Sequence, residues 1–259
     1  MGGILLTPVT VRNLKIGEGV PKICVPVTGA TKEEILEEIK APDMACADMI
    51  EWRADCFLEV FQKDKLEEIL LELRTALSEK PILFTFRSHF EGGSKTATVA
   101  EYTTLIQTAV LSGNIDLVDI EVFMDGCAVK ALVQMAREHN VKVVASNHDF
   151  EKTPDKKEII DRLCAMQILD ADILKIAVMP KDKKDVLTLL SATEEMNRMY
   201  ASRPIITMSM SGTGIISRIC GETFGSAVTF ASVGRASAPG QIKAKELKET
   251  LFVLHNYIN

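Results

Sequence analysis

The sequence predicts a (β/α)8 barrel, on three observations. Eight short apolar runs alternate with longer mixed-charge helical runs along the chain. At about 30 residues per strand–helix unit, eight units occupy roughly 240 of the 259 positions. The apolar runs, such as Val141-Lys-Val-Val-Ala, lack clean alternation and so fit a parallel sheet covered on both faces. No polar low-complexity linker divides the chain, so residues 1–259 read as one barrel domain with 1–20 as an N-terminal extension. The repeat lies in the order of elements, not in repeated residues. A doubly wound open sheet is the rival arrangement. It gathers polar residues at one switch point, whereas a barrel gathers them from nearly every strand end.

The elements follow in order. Thr7-Pro-Val-Thr-Val-Arg-Asn-Leu has period-two character and Gly17-Glu-Gly is a turn, so Val9–Ile16 reads as a hairpin closing the barrel bottom. Lys22–Thr28 is the first barrel strand, and Thr31 is placed to cap a helix over Lys32–Lys40. Strand Asp48–Asp55 precedes helix Asp64–Ser78, whose Leu66, Ile69, Leu70 and Leu73 form one apolar stripe. Strand Pro81–Arg87 leads through a polar, glycine-containing loop to helix Val99–Leu111. Leu117–Val122 pairs with helix Gly126–His139, Val141–Ser146 with Asp155–Ile168, and Ile173–Val178 with Lys181–Met199. Pro204–Ser209 precedes a helix near Gly214–Phe224, and Ala227–Ser232 precedes Ala244–His255.

Composition narrows the function. Lys and Arg total 30 against 36 Asp and Glu, a net charge of −6, which opposes a nucleic-acid partner because such partners meet a basic face. A locally positive pocket for a small anion stays open. The six cysteines are widely and irregularly spaced, with no Cys-x-x-Cys, and read as buried free thiols in a reducing compartment. The N-terminal residues lack a basic-then-apolar leader, and no apolar run approaches the ~20 residues of a membrane span. A cytoplasmic location without membrane contact is the expectation.

The informative residues are charges set inside apolar strands. Glu51, Arg53 and Asp55 share one strand face by the period of two, with Trp52 and Ala54 facing the helices. Buried unpaired charges are costly, so the trio is either a salt-bridge set or part of a site. Asp119 and Glu121 repeat the pattern and are placed to orient an arginine or lysine. Arg87 ends the third barrel strand. Glu91, before Gly92-Gly93, reads on its position alone as an exposed loop carboxylate. His139 and His255 read as capping or surface residues, while His148 follows a strand, as a structural histidine or an acid–base group. Lys175 is a lone lysine within Leu-Lys-Ile-Ala. It is either a snorkelling amine or a buried one able to attack a carbonyl carbon. Arg218 follows a Ser-Gly-Thr-Gly stretch and suits bidentate recognition of a carboxylate. Val233–Gln241, rich in glycine, proline and small polar residues, reads as a lid or a plain surface connection. No metal-ligand spacing and no dinucleotide fingerprint occurs, so neither metal nor cofactor is called for.

The set Glu-Trp-Arg-Ala-Asp at 51–55, Phe-Arg with Glu-Gly-Gly at 86–93, Asn-His-Asp at 147–149, Leu-Lys-Ile-Ala at 174–177, Ile-Ser-Arg at 216–218 and Ser-Ala-Pro-Gly-Gln at 237–241 is recognisable in that order. It resembles type I 3-dehydroquinate dehydratase, the Schiff-base class, over about residues 21–241. The resemblance implies a cofactor-free barrel enzyme of the shikimate pathway, usually a homodimer, that dehydrates 3-dehydroquinate to 3-dehydroshikimate. It implies Lys175 as the Schiff-base amine, His148 as general base and acid, and Glu91 bonded to that histidine. Arg218 matches the carboxylate-binding arginine, and Glu51, Arg53 and Arg87 the residues around the substrate hydroxyls. Met210, Phe230, Ser237, Ala238 and Gln241 match the wall and lid, and Asp55, Asp119 and Glu121 the supporting positions. Without the resemblance, the same residues also suit a Schiff-base aldolase or a non-catalytic sugar-acid binder.

Overall fold

The computed structural model describes residues 6–234, 238 and 240–258. Strands β1 (Val9–Val11) and β2 (Leu14–Ile16) form an antiparallel hairpin, with Arg12 at φ 52° in its tight turn. The barrel strands are β3 (Lys22–Val27), β4 (Met49–Arg53), β5 (Ile82–Thr85), β6 (Leu117–Glu121), β7 (Lys142–Asp149), β8 (Ile173–Val178), β9 (Ile205–Ser209) and β10 (Val228–Ser232). From β3 to β9 each pairs in parallel with the next in chain order, and β10 returns to pair with β3. A short β11 (Ile242–Lys243), not foreseen from the sequence, extends β10. The circle closes between β9 and β10 through a bridge between Ile205 and Ser226. The closed order, rather than an open doubly wound one, makes this a TIM-type barrel with its hairpin in place.

Helices α1 (Lys32–Ile39), α2 (Lys63–Ala76), α3 (Val99–Leu111), α4 (Gly126–Glu138), α5 (Lys156–Ile168) and α6 (Lys183–Met199) follow successive strands. Thr31 caps α1 by accepting the Glu34 N–H, as expected. Asp125, Asp155 and Asp182 cap α4, α5 and α6, and Thr98 with Glu101 forms a capping box on α3. The single helix expected over Gly214–Phe224 is two, α7 (Ile216–Ile219) and α8 (Gly221–Phe224). Cys220 leaves helical geometry between them, and Gly221 packs so closely on the Ser226 carbonyl that a side chain there would collide with it. The last helix is α9 (Ala244–Ile258).

Two apolar cores result. The larger lies between strands and helices and contains Trp52, Phe84, Phe86 and the α2 stripe Leu66, Ile69, Leu70 and Leu73. The smaller fills the barrel bottom. There Val9, Val11 and Ile16 of the hairpin meet inward residues from the strand beginnings, including Cys24, Met49, Leu83, Leu117, Val144, Ile173 and Val228. The hairpin therefore plugs the N-terminal end, and function is left to the other end. No helix among the described residues is long and apolar enough to cross a membrane. All six cysteines are free thiols, but only Cys24 is buried and Cys127 is exposed, so most are not the buried residues expected.

Candidate active site

Above the apolar plug the barrel interior becomes charged. The second inward residues of β4, β6, β8 and β10 are Glu51, Asp119, Lys175 and Phe230, one layer contributed by alternate strands. The Lys175 ammonium donates to Asp119 Oδ2 at 3.1 Å and Glu51 Oε1 at 3.3 Å, and lies 4.6 Å from the Phe230 ring centre. Lys175 is 3% exposed, so it is a buried amine and not a snorkelling one. The intervening strands supply hydroxyls. Thr85 donates to Glu51 at 3.0 Å, and Ser146 donates to Asp119 at 2.6 Å. Burial works against the charge of Asp119, but Arg87 and Lys175 outweigh it and hold the carboxyl below its usual range.

One further step along β7 brings His148 into the mouth. Its predecessor on the inward face, Ser146, lies opposite Lys175 in the ladder, so His148 sits one inward position above the amine. The strand runs to Asp149, three residues beyond the expected end at Ser146. Glu91 meets this histidine: its Oε2 lies 2.9 Å from Nδ1 and accepts the His148 backbone N–H at 3.0 Å. The exposed loop glutamate expected from position alone is 8% exposed. Its loop folds back through Gly92 at φ 82°, and Gly93 presses on the Arg87 carbonyl where a side chain would collide. Burial pushes the Glu91 carboxyl up to about 7, with Arg87 opposing. Burial also drives the His148 imidazole down, and the charges of Arg87, Lys175 and Arg53 push it further. Neutral His148 that gives its Nδ1 hydrogen to Glu91 keeps a lone pair on Nε2.

Arg87 ties these layers together. Its Nη1 donates to Glu121 at 2.9 Å, Ser146 at 3.0 Å and Glu91 at 3.2 Å, and its Nη2 lies 2.8 Å from Asp119. Asp119 and Glu121 thus orient both a lysine and an arginine. Arg53 forms a fork with Asp55, both bonds at 2.8 Å. Burial works against Asp55, but Arg53 holds its carboxyl below the ordinary value. Asp55 does not share the strand face by period: β4 ends at Arg53, and Asp55 comes from a 3₁₀ turn over Ala54–Cys56. From there it also accepts the Arg87 and Ser94 backbone N–H groups.

Arg218, 2% exposed, enters from α7. Ser217 anchors that turn by accepting the Ser209 N–H at 2.9 Å and donating to the Gly214 carbonyl at 2.7 Å. Burial lowers the Arg218 guanidinium to about 10, so it remains a cation at neutral pH. These groups surround a cavity of about 230 Å³ lined by Glu51, Arg53, Arg87, Glu91, His148, Lys175, Met210, Arg218, Phe230, Ala238 and Gln241. Ser237 lies outside the described residues. Pro26, Gly92, Phe150, Ala177 and Met208 also line the cavity and were missed. Ala177 and Met208 were within reach of the sequence, since each follows an inward residue by two; nothing local marks Phe150.

The comparisons with known proteins agree with this geometry. A family model described as type I 3-dehydroquinase matches residues 23–258. The 3-dehydroquinate dehydratase of Clostridioides difficile is 53% identical over 251 residues, covering 97% of this chain and 98% of the relative. That of Bacillus subtilis is 51% identical over 246 residues, covering 95% and 96%. A crystal structure of the Clostridium difficile type I enzyme with covalently modified comenic acid superposes with a TM-score of 0.95 at 52% identity. It covers 98% of this chain and all of that one. The chain belongs to the type I 3-dehydroquinase family.

Proposed function

We propose a role for each group in the family's reaction, which this chain carries out: it converts 3-dehydroquinate to 3-dehydroshikimate in the shikimate pathway through a lysine Schiff base. The observation that carries the assignment is Lys175, buried between Asp119 and Glu51 at 3.1 and 3.3 Å, one layer below the Glu91–His148 pair. Asp119 and Glu51 hold and orient the amine, which sheds a proton to water before attack. Lys175 adds to the C3 ketone and water leaves, forming the imine. Neutral His148 removes the C2 proton, and the electron pair moves into an enamine. The enamine expels the C1 hydroxyl, which takes the proton back from His148 and departs as water. Acid and base being one group on one face makes the elimination syn. Water then adds to the product imine and frees Lys175.

Glu91 fixes the His148 tautomer and supports its charge, a help typically worth about 10²–10⁴ in rate together with the base itself. Arg218, a buried cation on the cavity wall, takes the substrate carboxylate through its planar guanidinium. Glu51, Arg53 and Arg87 serve the hydroxyls. Arg87 acts mostly through the carboxylates it already holds. Met210, Phe230, Ser237, Ala238 and Gln241 form wall and lid, with Asp55, Asp119 and Glu121 in support. A homodimer in the cytoplasm belongs to the same reading.

The test is turnover of 3-dehydroquinate, followed by the near-ultraviolet absorption of the conjugated enone, with borohydride trapping and mass spectrometry. Wild type gives the enone, releases no carbon fragment and leaves an adduct on Lys175. Lys175→Ala gives neither enone nor adduct. Absence of enone in the wild type, or full activity in Lys175→Ala, refutes the assignment.

A further inference from the structure

We propose that Asn147 and Arg162 are positioning residues that hold the Glu91 carboxylate against His148 from the outer side of the barrel. The proposal rests on the role of His148 and Glu91 given above. Asn147 is an outward residue of β7, yet it is 8% exposed and reaches the site. Its Nδ2 donates to Glu91 Oε1 at 3.2 Å, while Glu91 Oε2 serves His148 and Arg87. The carboxylate is therefore gripped at both oxygens, and its plane cannot turn away from the imidazole.

A buried amide has two orientations, and only one donates to Glu91. Arg162 on α5 selects it: Nη1 donates to Asn147 Oδ1 at 2.8 Å, which an amide nitrogen at that place could not accept. Arg162 is itself held. It bonds Glu158 one turn back, lies 3.8 Å from Asp149 and packs 5.8 Å over the Phe123 ring. The charged groups facing Glu91 come from every neighbouring element: Arg87 beyond β5, Asp119 and Glu121 on β6, and His148 on β7. Behind Asn147 stand Arg162, Glu158 and Asp149. The Asn147 bond favours ionised Glu91, so its loss raises that carboxyl further.

The experiment compares wild type, Asn147→Ala, Arg162→Met and the double variant, each with its melting temperature. In each variant kcat falls about tenfold, the worth of one hydrogen bond to a charged group. KM and the Lys175 borohydride adduct stay at wild-type levels. The acid limb of kcat moves upward by about one pH unit. The double variant matches Asn147→Ala alone, because Arg162 acts through the amide. An unmoved limb in folded variants overturns the proposal, as does a loss of adduct in step with kcat. Additive losses in the double variant overturn the link through Arg162. If Asn147→Ala does not fold, the limb of Arg162→Met decides alone. Wild type without an adduct refutes the underlying reaction instead.

Discussion

Lys175 is held by two buried carboxylates, and its removal takes a cation from both: Glu51 keeps the Thr85 hydroxyl, and Asp119 keeps Arg87 and Ser146. In the wild type Asp119 has a lowered pKa, so its pairing stabilises the fold above the ordinary carboxyl range and is lost as pH falls through the lowered value. In Lys175→Ala the carboxyls of Glu51 and Asp119 remain buried, with Arg87 still on Asp119. The variant is less stable by about 3 kcal/mol at pH 7. The gap narrows toward pH 5, because without Lys175 the Asp119 carboxyl takes up a proton more readily. Melting temperatures at both pH values measure it, and a gap that widens in acid contradicts it. Glu91 behaves oppositely. Its carboxyl is raised to about 7, so it protonates before His148 as pH falls, and kcat declines below about pH 7. In Glu91→Gln kcat drops about 10²-fold and that limb disappears toward lower pH. A limb still near 7 in Glu91→Gln assigns it to another group. The raised pKa also means that ionising Glu91 costs stability as pH rises from 4.5 through 7, on the order of 3 kcal/mol. Glu91→Gln is accordingly the more stable protein at pH 8.

The strands contain a short repeat that the order of elements conceals. Asp48, Asp116 and Asp172 each stand one residue before β4, β6 and β8 and accept a backbone N–H from the preceding strand, at Ile23, Ile82 and Val143. Three residues after each comes Glu51, Asp119 or Lys175, the charged layer itself. No sequence repeat was expected, yet Asp-x-x-charged occurs at each of these places. The spacing fixes strand entry and active-site height together. Asp116 also binds Arg12 of the hairpin and Arg74 of α2. Asp116→Ala is expected to cost about 3 kcal/mol and Asp48→Ala about 1 kcal/mol. Urea midpoints compare them, and equal losses remove the distinction. The strand charges were legible because alternation on a parallel strand is a local rule. Glu91 was legible only through the family resemblance, because its burial depends on a loop docking onto β7, with Asn147 and His148 as partners far away in sequence. Asp55 was placed beside Arg53 for the wrong reason: the strand had already turned. The break at Cys220 was hidden because its cause is the Ser226 carbonyl, a long-range contact.

At the scale of the molecule the barrel separates its ends by chemistry. The inside of the bottom is closed by apolar side chains, and the charged layers that line the pocket lie above it. Removal of residues 1–20 uncovers Cys24, Met49, Leu117 and their neighbours and removes the Arg12–Asp116 pair. The truncated chain is expected to bind an apolar fluorescent dye and to unfold at lower urea; wild-type behaviour in both contradicts the plug. The net charge of −6 is summed over the whole chain, and the pocket wall departs from it, with Arg53, Arg87, Lys175 and Arg218 set against Glu51 and Glu91. The closing joint between β9 and β10 has a consequence for motion. Every other neighbouring pair is laced by a ladder, but here Ala227 N–H reaches the Ile205 carbonyl at 2.8 Å and the Ser226 hydroxyl accepts the Thr207 N–H at 3.0 Å. Like the last stave of a cask, this joint is expected to open first. In deuterium exchange the Thr207 and Ala227 amides are expected to fill before those of Ser146 and Lys175. Phe230 stands on one side of that joint and Lys175 on the other, while Arg218, on α7 between them, reaches β10 through the Phe230 carbonyl and Thr229, and its neighbour Ser217 holds β9 through Ser209. Opening there is expected to shift the Phe230 wall relative to Lys175 while the ladder carrying His148 and Lys175 stays shut.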